Sequence, residues 1–230
     1  MIELSEDKLK TLAKWDTPTI CNALEVVIPE RRGYGFTTKP FFCLDPSLPP
    51  IVGYARTAKI RAAQPPGTDA VSNRIPYYEY IAQLPGPTIV VIEDIDPKPG
   101  IGAFWGEVNT AVHKGLGALG VVTNGSIRDL PDNAPGFQAL GGLVGPSHAF
   151  VHPVDFNCTV TVHGMEVKNG NVIHADQHGA VVVPLDTISK IPDAVELVLR
   201  REAQILEAAR GDDFDIDKLK KAIRTSAEIH

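Results

Sequence analysis

The spacing of hydrophobic positions changes along the chain and predicts an alternation of strands and helices. Residues 51–63 alternate between apolar and polar side chains, as a β-strand does, and residues 88–94 form an apolar, β-branched run that predicts a buried strand. Apolar residues at helical spacing follow from Val108 to Leu116, and a second buried strand begins at Gly120. This order of strand, loop, helix and strand spans about 35 residues, which suits a right-handed βαβ unit with parallel strands.

Helices are predicted at both ends of the chain. Ser5 stands where the N-cap of a first helix is expected, and Asp16 or Thr17 can cap a second one. A long helix is predicted after Asp186, and a last amphipathic helix over residues 215–227. Between the two ends, the pattern predicts a loop over 30–50, helices over 77–84 and near 135–140, a hairpin across Asn169-Gly170, a turn over 176–179 and a strand over 180–184.

Composition and charge narrow the class of protein. The chain has 230 residues, 43% of them hydrophobic, which is enough for one sizeable core. We therefore expect a single domain over residues 1–230, with a C-terminal helical extension over 185–227. The net charge of −6 and the lack of a Lys/Arg stripe argue against nucleic acid as a partner.

The sequence also predicts where the protein is found in the cell. No apolar run approaches the length of a membrane span, and residues 1–7 lack the basic and apolar regions of a signal peptide. We therefore predict a cytoplasmic protein without a membrane partner. Cys21, Cys43 and Cys158 are widely spaced and form no CxxC motif, so reduced thiols are expected rather than a structural zinc site.

The stretch richest in candidate chemistry is 120–129, in which a buried strand is predicted to end in a turn. Asn124-Gly125 favours a turn because both residues tolerate positive φ. The turn would place Arg128 and Asp129 side by side at the end of a strand, where α/β proteins carry binding groups. Such a pair can hold an anionic oxygen compound and a hard cation together, or it can be an ordinary surface ion pair.

A second carboxylate is expected near this pair. In a βαβ unit the loops after both parallel strands lie at the same edge of the sheet, so Gly106 and Glu107 should approach Arg128 and Asp129. Two carboxylates with few other ligands suit Mg²⁺ or Mn²⁺, which keep several water molecules. Alternatively, Glu107 only complements the dipole at the start of a helix.

Arg128 and the start of the helix after Gly106 both offer donors to an anion. A guanidinium binds a carboxylate with two parallel hydrogen bonds, and backbone N–H groups at a helix N-terminus bind the same kind of group. This arrangement fits a 2-oxo acid whose carboxylate and keto oxygens also chelate the cation, which then stabilises an enolate as a Lewis acid.

The histidines are the remaining candidates for chemistry. His148 and His152 are four residues apart, but the prolines around them argue against a helix that would align the two rings. A zinc site built from the histidines is one alternative, and ordinary surface or hairpin positions are the commoner one. His178, in a predicted turn, is the strongest functional candidate of a group that also includes His163 and His174.

These motifs resemble the RraA-like family, which includes the 4-hydroxy-4-methyl-2-oxoglutarate / 4-carboxy-4-hydroxy-2-oxoadipate aldolases. The resemblance is carried by Trp105-Gly106-Glu107-Val108, the helix up to Gly120, and residues 121–130. Residues 175–184 are similar to a later signature of the family, in which Asp-x-x-Gly precedes an apolar strand and a proline. Residues 15–24 are similar to its N-terminal segment, so the resemblance covers most of the chain.

The resemblance implies a fold, an assembly and a metal. The fold would be α/β, a swivelling β/β/α sandwich with N- and C-terminal helices, and it would assemble as a homotrimer or homohexamer. The metal would be Mg²⁺ or Mn²⁺, held directly by Asp129 and otherwise largely through water, with Glu107 further from the ion.

The resemblance also implies roles in catalysis. Arg128 would bind the pyruvyl part of an oxo acid substrate and stabilise its enolate, and the backbone of Gly106, Val108 and Asn109 would bind the carboxylate. The family uses a glutamate from the C-terminal helix of a neighbouring subunit, and Glu202 is predicted for that catalytic role. The implied enzyme is a metal-dependent class II aldolase. It would cleave a 4-hydroxy-2-oxo acid to pyruvate and a second carbonyl compound, with oxaloacetate decarboxylation as a side activity.

The chain also departs from the family pattern. Asn124 and Asn22 stand where the family usually has Asp, Asn109 replaces a more common aliphatic residue, and Asn171 replaces the Asp of a Gly-Asp turn. Because Asn124 removes a charge beside the predicted catalytic pair, we expect a different metal environment or a different substrate.

Two alternatives to the aldolase remain open. One is a related lyase or decarboxylase that acts on another oxo or hydroxy acid. The other is a non-catalytic regulator that binds a ribonuclease, like the RraA proteins. Those regulators are shorter and lack the C-terminal helical extension, so residues 185–227 favour the enzyme.

Overall fold

The computed structural model describes residues 5–67, 70–83 and 85–230. Its helices are α1 (Glu6–Leu12), α2 (Thr17–Val27), α3 (Ala70–Ile81), α4 (Glu107–Gly115), α5 (Ile191–Ala209) and α6 (Ile216–Ala227). Its strands are β1 (Phe42–Cys43), β2 (Ile51–Arg61), β3 (Thr88–Asp94), β4 (Ala103–Trp105), β5 (Ala118–Ile127), β6 (Gln138–Val144), β7 (His152–Phe156), β8 (Val160–Val162), β9 (Met165–Val167), β10 (Val172–Asp176) and β11 (Gly179–Val183).

Most of the described strands join one curled sheet. Its main path is β1-β6-β5-β3-β2-β10-β11, with β4 paired to β5 and β7 paired to β2, while β8 and β9 form a separate hairpin. The central strands β6, β5, β3 and β2 are parallel, and β1, β7, β10 and β11 pair antiparallel. The parallel pairing of β3 with β5 around α4 confirms the predicted βαβ unit. The α/β fold with helices at both ends is likewise confirmed.

The core occupies both faces of the sheet, because the apolar run of β3 has no polar face. Val90 and Ile92 point towards Trp105 and Tyr77 on the side of α3 and α4. Ile89 and Val91 pack on the opposite face against the β8–β9 hairpin. A third cluster joins α1, α2 and α5 to β10 and β11. None of the helices in the described part of the chain is both long and apolar enough to cross a bilayer.

The helix ends follow the predicted capping residues in part. Asp16 Oδ1 accepts from the Thr19 N–H at 2.9 Å and caps α2. Asp215, which was not predicted as a cap, accepts from two backbone N–H groups at the start of α6. Ser5 precedes α1, but its side chain makes no capping hydrogen bond.

The predicted turn at Asn124-Gly125 is wrong, because β5 continues through both residues to Ile127. Neither residue adopts positive φ. Instead, Asn124 Oδ1 accepts from the Asp94 N–H at 2.8 Å, and its Nδ2 donates to the Asp94 carbonyl oxygen at 2.9 Å. The amide that favoured a turn thus joins β5 to β3, and the chain turns only at Asp129, where φ is 51°.

Two predicted helices also differ from the structure. The helix predicted over 77–84 begins earlier, at Ala70, and the predicted position of Leu84 lies outside the described residues. Residues 135–140 form no helix: β6 starts at Gln138 and pairs with β5, because the sheet offers this short apolar run a buried neighbour on one side.

The predicted hairpin across Asn169-Gly170 is wrong in its pairing. Gly170 does turn with φ 80°, but β9 before it pairs with β8, and β10 after it pairs with β2 and β11. The hairpin forms one turn earlier, at His163-Gly164, where both residues have positive φ. The turn and strand predicted over 176–184 are confirmed by the β10–β11 hairpin.

Candidate active site

A cavity of 490 Å³ lies beyond the carboxyl ends of β4 and β5. Five residues predicted for the site line it together: Gly106, Val108, Asn109, Arg128 and Asp129. This confirms the expectation that the loops after the two parallel strands converge. The reason is topological, since parallel neighbours end at the same edge of the sheet.

Arg128 and Asp129 form a loose ion pair at the wall of the cavity. Arg128 Nε lies 3.4 Å from Asp129 Oδ2, and the side chains are 34% and 36% exposed. At this distance and exposure an ion pair contributes only about 0–1 kcal/mol, so neither group is committed to the other. Both keep hydrogen-bonding capacity for a ligand.

Asn133 fixes the backbone that presents the Asp129 carboxylate. Asp129 has φ 51° and ψ 45°, in the left-handed region that a non-glycine residue seldom occupies. Asn133 is 8% exposed, and its Nδ2 donates to the carbonyl oxygens of Arg128 at 2.8 Å and Asp129 at 2.7 Å. Two hydrogen bonds from one buried amide hold the strained turn in place.

Gly106 is required by the close approach of Asp129. A Cβ atom at position 106 would overlap Asp129 Oδ2 and crowd the Arg128 side chain. The backbone of Gly106 is extended, so the need for glycine here comes from space and not from φ. Any larger residue would displace the carboxylate from the cavity wall.

The start of α4 supplies backbone donors to the same cavity. The first hydrogen bond within the helix runs from the Thr110 N–H to the Gly106 carbonyl oxygen at 3.0 Å, so the preceding amides have no acceptor inside the helix. The Glu107 N–H donates to Asp129 Oδ2 at 3.3 Å, and Val108 and Asn109 line the cavity. An anion here would meet both these amides and the positive end of the helix dipole.

A partly buried hydrogen-bond network joins α3 to α4 at the wall of the cavity. Tyr78 Oη donates to Asn109 Oδ1 at 2.8 Å, and Asn109 Nδ2 donates to the Phe104 carbonyl oxygen at 2.5 Å. His113 is fully buried, with Nδ1 2.6 Å from the Asn109 carbonyl oxygen and Nε2 2.8 Å from Tyr77 Oη. Because a carbonyl oxygen only accepts, the proton of His113 is on Nδ1, and Nε2 accepts from Tyr77.

This network predicts that stability falls in mild acid. Burial lowers the pKa of His113 to about 4, whereas the pKa of a histidine in the unfolded chain is about 6.5. The unfolded chain therefore takes up the proton first, so the contribution of His113 is complete above about pH 6.5 and is lost towards about pH 4. We expect the free energy of unfolding to fall by about 2 kcal/mol from pH 7 to pH 5 through this group, as measured by urea unfolding.

His113→Gln is the variant that isolates this contribution. His174 is also buried, and its pKa is also lowered. The destabilisation that His174 causes in mild acid should therefore persist in the variant. The difference between pH 7 and pH 5 should shrink by about 2 kcal/mol in His113→Gln. An identical pH dependence in both proteins would contradict the assignment.

The histidines weighed for a zinc site do not meet. His148 and His152 both line the cavity, but His178 lies in the β10–β11 turn, where its Nδ1 is 3.1 Å from Asp176 Oδ1. Over residues 5–67, 70–83 and 85–230 no group of three His, Cys, Asp or Glu side chains is placed to hold a metal ion. The described residues therefore do not support the zinc alternative.

The donor set around Asp129 fits a hydrated hard cation. Its contacts with Glu107 N–H and Arg128 Nε, at 3.3 and 3.4 Å, are long and leave the carboxylate free to bind. Mg²⁺ and Mn²⁺ are bound by one or two carboxylates and keep several waters, whereas structural zinc needs four side chains. Asp129 is therefore a suitable donor for Mg²⁺ or Mn²⁺, whereas Glu107, the first residue of α4, is exposed and does not line the cavity.

Comparison with known sequences decides the family. The sequence model of the RraA-like family, described as Aldolase/RraA, matches residues 17–182. The chain belongs to the RraA-like family. The match includes every residue that lines the cavity, and α5 and α6 follow it.

One known sequence and two known structures are similar to this RraA-like chain. Protein DlpA of Legionella pneumophila is 25% identical over 178 residues, which are 70% of this chain but only 27% of the length of DlpA. The fold is similar to that of an uncharacterized protein from Pseudomonas syringae pv. tomato (TM-score 0.72, 20% identity, 96% of this chain and 95% of that chain). It is also similar to Streptomyces coelicolor RraAS2, an unusual member of the RNase ES inhibitor RraA protein family (TM-score 0.68, 21% identity, 91% and 98%).

In this RraA-like chain, Asn124 has a structural role away from the cavity. Its amide both accepts from and donates to the backbone of Asp94. An ionised Asp at 124 could accept but not donate, and it would add a charge near the buried Asp94 carboxyl, whose pKa burial already raises. The pairing of β5 with β3 therefore explains why Asn stands at 124, where the family usually has Asp. This difference does not by itself indicate a different substrate.

Asn124→Asp is expected to lower the free energy of unfolding by about 1–3 kcal/mol, because the Asp94 carbonyl oxygen loses its donor and a carboxylate is partly buried. Asn171→Asp is the matched control. Asn171 Oδ1 only accepts, from the Lys168 N–H at 2.8 Å, so a carboxylate replaces it with a change within about 0.5 kcal/mol. Urea unfolding of both variants measures the contrast, and equal losses would contradict the role given to Asn124.

Glu202 lies on α5 and does not line the cavity of its own chain. Its Oε1 accepts from Asn22 Nδ2 at 3.3 Å, which joins α5 to α2. Its predicted role in the site of a neighbouring subunit stays a prediction.

Sequence reasoning missed several residues of the site. Arg74 and Tyr78 are four apart on α3, a spacing that places both on one face, and both line the cavity. His113 and Asn133 support the site through hydrogen bonds to the backbone of residues that line the cavity. The i, i+4 spacing on α3 was a usable signal, whereas the contacts of His113 and Asn133 link segments that only the fold brings together.

Proposed function

We propose that this RraA-like chain is a divalent-metal-dependent aldolase. It cleaves a 4-hydroxy-2-oxo acid to pyruvate and a second carbonyl compound, and it decarboxylates oxaloacetate as a side activity. The observation that carries the proposal is the convergence on one cavity of the Arg128 guanidinium, the Asp129 carboxylate and the backbone amides at the start of α4.

Binding of the substrate follows from these donors. The carboxylate of a 2-oxo acid would lie against the amides of Val108 and Asn109, where the helix dipole favours a negative charge. The planar guanidinium of Arg128 would donate to the neighbouring 2-oxo oxygen and thereby orient the C3–C4 bond. A Mg²⁺ or Mn²⁺ ion on Asp129, when bound, supplies Lewis-acid polarisation of the same carbonyl.

Cleavage then requires one proton to leave and one to arrive. A carboxylate takes the proton of the 4-hydroxyl group, the C4–O bond becomes a carbonyl, and the electron pair of the C3–C4 bond passes to the enolate of pyruvate. Arg128 faces the developing negative charge and stabilises it most when the charge is largest. Protonation of C3 completes pyruvate. The proposed base is Glu202 of a neighbouring copy, as the family resemblance implies, since Glu202 does not reach the cavity of its own chain. An assembly of three or six copies is therefore part of the proposal.

Release of pyruvate tests the proposal. The purified protein is assayed with 4-hydroxy-4-methyl-2-oxoglutarate and with oxaloacetate, in Mg²⁺ and in EDTA, with lactate dehydrogenase to detect pyruvate. We expect turnover of both compounds in Mg²⁺ and its loss in EDTA. If neither compound is turned over with Mg²⁺ or Mn²⁺, the aldolase is excluded, and inhibition of a ribonuclease by the same preparation would favour a regulator instead.

A further inference from the structure

The cavity is larger than a pyruvyl group requires. At 490 Å³ it falls in the range of roughly 300–1,000 Å³ that accommodates drug-sized ligands. Arg128 and Asp129 occupy one side of it. The other walls are mainly apolar and aromatic and are formed by Pro66, Tyr78, Phe104, Val151 and Pro153.

The polar atoms of the aromatic wall are already bonded within the protein. Tyr78 Oη donates to Asn109 Oδ1 at 2.8 Å, and Asn109 Nδ2 donates to the Phe104 carbonyl oxygen at 2.5 Å. Tyr77 Oη is bonded to His113 at 2.8 Å. The wall therefore offers a ligand the faces and edges of rings rather than free donors, which suits an apolar or aromatic group.

Two imidazoles on the cavity wall are arranged to accept a hydrogen bond. His148 Nδ1 lies 2.6 Å from the Ala149 carbonyl oxygen, and His152 Nδ1 lies 2.6 Å from the Phe150 carbonyl oxygen. A carbonyl oxygen only accepts, so each Nδ1 carries the proton, and in the neutral ring Nε2 keeps its lone pair. A hydroxyl group matches such a nitrogen, because it can donate to it or accept from it.

Arg74 is the cation of this wall, and it is placed to stack. Its guanidinium carbon lies 5.9 Å from the centre of the Tyr78 ring, and Arg74 is exposed while lining the cavity. A guanidinium over a ring extends the aromatic surface to which a further ring can pack.

We infer that the group beyond the pyruvyl part of the substrate is aromatic, with a ring hydroxyl tolerated or favoured. This rests on the proposed aldolase function and specifies its substrate class, a 4-aryl-4-hydroxy-2-oxobutanoate. Cleavage of the C3–C4 bond moves the 4-hydroxyl proton to the base and leaves the electron pair on C3. The products are pyruvate, after protonation of C3, and an aryl aldehyde. No oxidant or reductant is needed.

Binding of uncleavable analogues tests the inference apart from catalysis. The 4-hydroxyl group is absent from 2-oxo-4-phenylbutanoate, 2-oxobutanoate and 2-oxoglutarate, so none of them can undergo retro-aldol cleavage. Titration calorimetry in Mg²⁺ should give a Kd for 2-oxo-4-phenylbutanoate at least about tenfold below those of the other two, because only its ring is buried. A lower Kd for 2-oxoglutarate would overturn the inference and identify Arg74 as the site of a second carboxylate.

Variants of the aromatic wall distinguish a substrate with an aromatic group from a substrate with a second carboxylate. Tyr78→Ala should reduce the preference for the phenyl compound about tenfold, whereas Tyr78→Phe, which keeps the ring and loses the hydroxyl group, should retain it. Arg74→Gln should leave the order of the three Kd values unchanged. Thermal unfolding of each variant confirms that it is folded, and an equal preference in Tyr78→Ala and wild type would contradict the role of the wall.

The same experiment distinguishes this inference from the aldolase proposal. Tight binding of 2-oxo-4-phenylbutanoate with no turnover of 4-hydroxy-2-oxo-4-phenylbutanoate or oxaloacetate would remove the aldolase and keep the ligand class. Turnover of 4-hydroxy-4-methyl-2-oxoglutarate with 2-oxoglutarate bound most tightly would keep the aldolase and remove the aromatic substrate. Failure of all three analogues to bind, together with no pyruvate release from any of the substrates, would remove both.

Discussion

Arg128→Ala is expected to lower kcat/KM for pyruvate release about 10²–10³-fold, which is the usual effect of removing one donor to a developing oxyanion. The guanidinium lines the cavity, and its contact with Asp129 Oδ2 is long at 3.4 Å, so it is free to bind the substrate. Arg128→Lys keeps the charge but loses the planar pair of donors, so we expect an intermediate loss. Steady-state kinetics with oxaloacetate in Mg²⁺ measure both variants.

The control for Arg128 is Arg224→Gln, a charge removal on an exposed residue of α6 outside the cavity. It should leave kcat/KM unchanged. The backbone N–H of Arg128 donates to the Trp105 carbonyl oxygen at 2.9 Å, a bond that no side-chain substitution removes, so the variants should remain folded. Full activity of Arg128→Ala would be incompatible with the proposed mechanism.

Asp129→Asn is expected to abolish stimulation by Mg²⁺ and to weaken Mn²⁺ binding at least about tenfold. Asn tolerates the left-handed backbone at φ 51° as well as Asp does, and the bonds from Asn133 go to backbone oxygens, so the turn is retained. What changes is the negative charge that a hard cation requires. Mn²⁺ binding, followed by the electron paramagnetic resonance of the free ion, gives a readout that does not depend on turnover.

Asp132→Asn is the matched control for this loss. Asp132 is an exposed carboxylate three residues further along the same turn and does not line the cavity. Its replacement should leave the Mn²⁺ affinity within about twofold of wild type, because Asp132 does not line the cavity and its exposed carboxylate faces solvent of high dielectric constant. Unchanged Mn²⁺ binding in Asp129→Asn would exclude Asp129 as the ligand.

The sequence predicted the parts of the fold whose pattern is set locally. The apolar run of β3, the capping Asp16 and the apolar residues at helical spacing in α5 each carry their own signal, and each of these predictions matches the structure. Predictions failed where a local preference competed with a distant partner. Asn124 favours a turn in isolation, but the backbone of Asp94 offers its amide both a donor and an acceptor.

The site divides in the same way. The spacing of Gly106, Arg128 and Asp129 in a βαβ unit was sufficient to predict their meeting, because parallel strands end at one edge of a sheet. The aromatic wall was not predictable in this manner. Tyr78 belongs to α3, and its contact with Asn109 depends on how α3 packs across α4, which no periodicity in the sequence specifies.

By itself, then, the sequence determined the order of strands and helices, the βαβ unit and the residue types that meet at its edge, since these follow from period and topology. Only the tertiary structure decided the left-handed turn held by Asn133, the buried His113 and the aromatic side of the cavity. The physical reason is that each of these depends on hydrogen bonds and packing between segments far apart in the chain. The energies of these hydrogen bonds and packing contacts depend on partner residues that are distant in the sequence.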